Sequence, residues 1–207
     1  MEGLGLLKSL KKLSIVGCPK LVQLDVEDEQ SASLLSSLCN LCVDNTALLK
    51  MFPLRNSLPF ITKLEFVSCS EEVIFVEAIL VRSLTAVTSL RFCYCDKLQS
   101  LPTELLHSFP FLEELQIYNC PQLQLLPEKG ILPSLRRLEI DYCPRIQSLS
   151  AKGLPPLLKF IYISDCPQIE AMPDQEGLPM SLDVFRCSGD VHPKLREQSE
   201  KFNADRE

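Results

Sequence analysis

Residues 112–127 read LEELQIYNCPQLQLLP, and this stretch decides the fold because its pattern recurs along the chain. Leu115 and Ile117 are separated by one polar residue, the period of a short strand with a single apolar side, and Leu112 leads into it. Cys120 and Pro121 turn the chain, and Leu123, Leu126 and Pro127 follow on a return that proline keeps from becoming a long helix. Near-copies of the turn are GCPKLVQL at Cys18, YCDKLQSLP at Cys95, YCPRIQSLS at Cys143 and DCPQIEAMP at Cys166, with a looser SCSEEVIF at Cys69. From Cys69 onward these cysteines lie 26, 25, 23 and 23 residues apart. The 51 residues between Cys18 and Cys69 span close to two such periods, and Asn45 supplies the missing turn. A fixed period of this size marks a solenoid, whose units cannot bury an apolar face alone and stack on one another.

The shared template is Leu-x-x-Leu-x-Ile-x-x-Cys-Pro-x-Ile-x-x-Leu-Pro. Strands that return at this interval run parallel, so the fold class expected is α/β: short parallel strands joined by irregular or briefly helical returns, such as Thr103–Phe109. Where the chain leaves each strand, backbone groups need a partner. Asn both donates and accepts, while a thiol does both weakly and packs well. The predicted turn ladder is Cys18, Asn45, Cys69, Cys95, Cys120, Cys143, Cys166 and Asp190, giving about eight units over residues 1–192, with 25–83 degenerate. Residues 193–207 are predicted as a polar cap or tail, with a short helix over 193–203 opened by Pro193. No such cover precedes Leu7, Leu10, Leu13 and Ile15, which already form a repeat, so the chain reads as the C-terminal piece of something longer.

With 46% apolar and 23% charged residues the chain is composed like a folded protein, not a disordered one. It contains no apolar run of the roughly 18 to 20 residues that span a bilayer. It also lacks a secretory leader's order and any Asn-x-Ser/Thr acceptor, so an intracellular, soluble protein is expected. A net charge of −6 with scattered lysines and arginines argues against nucleic acid and anionic membranes as partners. Ten cysteines invite a metal or disulfide reading, yet the paired spacings are limited to Cys39-x-x-Cys42 and Cys93-x-Cys95, with His107 and His192 far off. No metal or cofactor is expected, and the thiols are read as small buried hydrophobes. No motif places a nucleophile beside either histidine, so the chain is not expected to be an enzyme.

The positions that the template leaves free point outward from the strands. Among them Tyr118, Phe160 and Tyr162 present aromatic rings in neighbouring units, with Tyr94 and Tyr142 one step along. They are read either as anchors for a protein partner or as rings that shield strand edges and touch one another. Beside them Arg91, Glu114, Arg137, Glu139 and Asp141 make a row of alternating charge, with the neutral Gln116 on the same face, read as surface pairing or as a bias on partner choice. Eight strands about 4.8 Å apart give a face on the order of 35 Å long, wide enough for a protein and too open for a small substrate.

The stretch LPSLRRLEIDYCPRIQSLS, residues 132–150, resembles the leucine-rich repeat, whose units stack into a curved horseshoe with strands on the concave face and returns on the convex one. More narrowly, the Cys-Pro-x-Ile/Leu-x-x-Leu-Pro return joined to Leu-Pro-x-Ser-Leu-x-x-Leu-x-Ile is similar to the C-terminal repeats of plant nucleotide-binding leucine-rich-repeat disease-resistance proteins of the coiled-coil class. The likeness covers nearly the whole chain and is strongest over residues 84–173. It implies a non-catalytic recognition module of an intracellular immune receptor in the cytoplasm, the nucleus or at the inner face of the plasma membrane. Its implied partners are a pathogen effector or host protein, and the receptor's own nucleotide-binding module, which such repeats restrain. Nothing here resembles that module's phosphate loop, so no nucleotide is expected to bind. The alternative is the substrate-recruiting arm of an F-box ubiquitin ligase. Its repeats also carry cysteine, but in a more polar context than CPQLQLLP.

Overall fold

The computed structural model describes residues 9–18, 37–44, 60–69, 84–101, 103–126, 132–149, 154–173 and 178–206. Eight strands follow in chain order: β1 (Lys12–Ile15), β2 (Asn40–Val43), β3 (Lys63–Val67), β4 (Ser89–Cys93), β5 (Glu114–Tyr118), β6 (Arg137–Asp141), β7 (Phe160–Cys166) and β8 (Val184–Val191). Each pairs with the next, in parallel, to form an eight-stranded sheet. The molecule is a parallel β-solenoid. Asn45 lies outside the described residues.

Register explains why the template repeats. Leu90, Leu115, Leu138 and Ile161 are partners across successive strands, as are Phe92, Ile117, Ile140 and Ile163, so the two inward positions of each unit stack into continuous buried rows. Leu112, Leu135, Leu158 and Leu182 close a third row before the strands, and Leu98, Leu123, Ile146 and Ile169 a fourth behind them. Burying one such side chain contributes roughly 1.5 to 3 kcal/mol, realised only when the neighbouring unit is in place. The returns keep step too: Ser100, Leu125 and Ser148 bridge in parallel on the far side.

The cysteine turn has a specific backbone. The residue before the cysteine is left-handed in every described unit that has one: Gly17, Ser68, Tyr94, Asn119, Tyr142 and Asp165, with φ between 50° and 73°. In this conformation the amide of Tyr94 still reaches the carbonyl of Tyr118 at 3.0 Å, and that of Tyr142 reaches Ser164 at 3.1 Å. The next residue is thereby swung inward. The thiols of Cys69, Cys95, Cys120, Cys143 and Cys166 then donate to the carbonyl two residues back, at 3.1 to 3.6 Å. Cys-Pro-x-Ile closes as a β-turn, with Ile146 N–H on Cys143 O at 3.3 Å and Pro144 at the corner where its fixed φ fits.

The last unit differs from the template reading. Asp190 follows the left-handed Gly189, as a turn residue should, but it is exposed and lies inside β8. It is Val191 that pairs with Cys166 and takes the inward place. The cause is the bulge beside Cys166, where the Asp165 carboxylate accepts the Asp190 amide at 2.9 Å. A Cβ at position 189 would sit 2.4 Å from that carboxylate, so glycine is required there both for space and for φ.

Of the two described helices, α1 (Thr103–His107) fills a return, and α2 (Pro193–Ala204) packs on β8 where the sequence predicts a helix over 193–203. Its side chains, with Arg206 just beyond it, satisfy carbonyls of the edge strand and of Leu182 just before it. Ser199 Oγ and Asn203 Nδ2 donate to Phe185 O at 2.9 and 2.6 Å, Arg196 donates to Gly189 O at 2.7 Å, and Arg206 donates to Leu182 O. Free strand-edge carbonyls otherwise invite pairing with another chain. His192 caps the helix, its Nδ1 accepting the Lys194 amide at 3.2 Å.

All ten cysteines are free thiols, and seven are buried. The Cys120 thiol is pushed up to about 12 by its hydrogen bond with Cys143 and by burial, and Cys93 to about 12 by burial and the Glu65 carboxylate. Thiolate is the reactive form, so these groups are inert at neutral pH. With DTNB under native conditions, Cys18 is expected to react quickly, the half-buried Cys39 and Cys187 slowly, and the other seven only after unfolding. Fast native labelling of all ten would contradict this burial.

Candidate functional site

The outward positions of the strands make three rows on the solvent side of the sheet. Those from β3 to β8 read Lys63, Ser89, Glu114, Arg137, Phe160 and Val184; then Glu65, Arg91, Gln116, Glu139, Tyr162 and Arg186; then Val67, Cys93, Tyr118, Asp141, Ser164 and Ser188. Parallel sheets are normally covered on both faces. Here no described helix or strand lies over these rows, although Cys93 and Ser164 within the third are buried.

The centre of the face is a closed polar network. Glu114 accepts from Ser89 Oγ at 2.8 Å and from Gln116 Nε2 at 3.0 Å, and Gln116 also donates to Glu139 at 2.9 Å. Arg137 lies 3.4 Å from Glu114, pairs with Glu139, and sets its guanidinium 3.8 Å over the Phe160 ring. Arg91 stands 3.8 Å from Glu65. Each of these partly exposed ion pairs contributes under about 1 kcal/mol, but together they fix the rotamers of the predicted row. A depression of about 260 Å³ opens beside it, lined by Lys12, Asn40, Lys63, Glu65 and Arg91 among others.

Of the outward aromatic residues, the three tyrosines of adjacent units touch one another, while Phe160 and Tyr162 are engaged elsewhere. Phe160 is engaged by Arg137, and the Tyr162 hydroxyl lies 2.7 Å from Ser188 Oγ. Tyr118 joins Tyr94 and Tyr142 instead, in edge-to-face contacts with centroids 5.2 and 5.9 Å apart and ring angles of 82° and 77°. A strand-end position and two left-handed turn positions thus converge from three adjacent units. The Tyr118 phenol is raised above its ordinary pKa, first by its hydrogen bond with Tyr94. Left-handed backbone costs a bulky residue roughly 1 to 2 kcal/mol, so Tyr94 and Tyr142 hold their rings at the expense of stability.

Asp141 pairs with Tyr118 in the register, and its Oδ1 is buried without a hydrogen-bond partner. Burial raises its carboxyl above the usual range. One strand on, Asp165 is held below it by the Asp190 amide. The sequence places Asp141 on the face and Tyr94 and Tyr142 one step beyond it, but carries no signal for the left-handed backbone that brings those two rings onto Tyr118.

A second depression, about 520 Å³, lies between the last return and α2, lined by Met172, Leu178, Met180, Phe185 and Phe202 among others. Among the described residues no group of three or more His, Cys, Asp or Glu is placed to hold a metal ion. No described helix is long and apolar enough to cross a membrane. No protein-family model matches the sequence, and no curated protein matches it.

Proposed function

We propose that this chain is a non-catalytic protein-recognition module, a leucine-rich-repeat array of the kind that forms the C-terminal part of plant coiled-coil nucleotide-binding immune receptors. The observation that carries the reading is the outer face of an eight-stranded parallel sheet, whose side chains are set by register and for the most part left outside the core. Such a face varies residue by residue without disturbing the fold, which suits recognition of proteins that differ from one another. The repeat wording supports the family: Cys-Pro-x-Ile/Leu turns at Cys120, Cys143 and Cys166, with lead-ins Leu-Pro-Ser-Leu at residues 132–135 and Leu-Pro-x-Ser-Leu at residues 178–182.

In this reading the partner is a pathogen effector or a host protein, and in the full receptor the face or its flanks also restrain the nucleotide-binding module. Contacts rather than chemistry would transmit the signal, inside the cell. The alternative, a recruiting arm of an F-box ubiquitin ligase, draws on the same cysteine-bearing repeats. The full reading frame separates the two. A nucleotide-binding module with its phosphate loop encoded upstream is the expected result, and an F-box there would overturn it in favour of the alternative.

A further inference from the structure

We infer that Tyr94, Tyr118 and Tyr142 form a cation-accepting ridge on which a partner protein lays an extended segment bearing Lys or Arg, a specificity that deepens the recognition role proposed above and rests on it. Several features that oppose folding coincide at this one place. Tyr94 and Tyr142 are 46% and 51% exposed, and both hold a backbone conformation that bulky residues avoid. Asp141 is in register with Tyr118 and keeps a buried oxygen unpartnered. Disfavoured backbone, exposed rings and an orphaned acceptor persist together where binding offsets them.

Charge selects the occupant. The tyrosine π-faces attract cations, and the Asp141 carboxylate, in register with Tyr118, adds to that attraction and repels anions. Asp165 and Asp96 extend the negative field, the latter with its amide 3.0 Å from Tyr94 O. Most cations near the ridge are committed, Arg137 to Glu114 and Glu139, Arg91 to Glu65, and Arg145 to Gln122, while the exposed Lys97 follows Cys95 as Arg145 follows Cys143. The chain as a whole carries −6. The ring centroids are 5.2 and 5.9 Å apart, closer than the roughly 7 Å between same-side residues of an extended peptide, so two alternate basic residues would span the three rings.

The protein has no tryptophan and four tyrosines, so its intrinsic fluorescence reports mainly on the ridge. The probes are a peptide of alternating Arg and Gly and a matched peptide of alternating Glu and Gly, in about 0.15 M salt where loose surface attraction is screened. A saturable change in tyrosine emission is expected with the first peptide only. By calorimetry, Tyr118→Ser and Tyr142→Asn are each expected to weaken binding on the order of tenfold. Tyr142→Asn should melt no lower than wild type, because Asn tolerates the left-handed backbone. Asp141→Asn should also weaken binding, while Glu170→Gln, which removes one exposed charge elsewhere, leaves it unchanged. Equal affinity for both peptides, undiminished binding by Tyr142→Asn, or an equal loss with Glu170→Gln overturns the ridge. Any of these leaves the recognition role itself to be decided by the upstream domain, so the two failures are distinct.

Discussion

Leu195→Asp is expected to lower stability by about 3 to 5 kcal/mol and to leave a protein that associates as its concentration rises. Leu195 is fully buried between α2 and β8, so an aspartate there is an unpaired charge in the core. Losing the helix would remove more than packing. Ser199, Asn203, Arg196 and Arg206 would release the carbonyls of Phe185, Gly189 and Leu182, and the edge-to-face contact of Phe202 with Phe185 at 6.2 Å would go. β8 then becomes a bare edge with its apolar side open. Thermal melts, with light scattering at two concentrations, test this against Leu195→Met, which should stay within about 1.5 kcal/mol. An aspartate variant that melts with wild type and keeps its size would show that α2 does not hold this end.

Phe92→Ala should cost about 3 to 5 kcal/mol, and the damage should stay local. Phe92 is wholly buried and stacks on Phe66, with centroids 5.5 Å apart and planes 19° from parallel. Those rings take the inward position that Ile117 and Ile140 hold in the units that follow. In a solenoid each unit leans only on its neighbours. Hydrogen exchange is therefore expected to speed up across β3, β4 and β5 while β7 and β8 keep their protection. Uniform loss of protection along the chain would instead mean that the array unfolds as one unit.

Much of this architecture is legible in the sequence because the core is repetitive. Period-two pairs such as Leu115 and Ile117 fix which side faces inward, and a cysteine at a constant offset fixes the register, so every outward position can be named in advance. The pairings on that face are not legible. Which ring Tyr118 meets depends on the backbone of the next unit's turn, and the left-handed φ of Tyr94 and Tyr142 runs against their preferences. Likewise Arg137 was one sign in an alternating row, whereas its guanidinium also covers Phe160 and removes that ring from the exposed set. The end of the array departs from the pattern for a local reason. The Asp165 carboxylate occupies the space over Gly189, and the chain bulges by one residue before Val191 resumes the inward row.

The joint before each cysteine also bears on how such a chain changes length. At Asn119, Tyr142 and Asp165 the backbone has nearly the same twist, φ 50° to 52°, and the cysteines that follow are 23 residues apart. Copying residues 120–142 in frame would therefore join one joint to its equivalent and insert a whole strand, return and turn. Everything beyond would advance by about 4.8 Å along the stack with its core contacts intact. A gene built this way can lengthen or shorten its product by recombination between its own repeats.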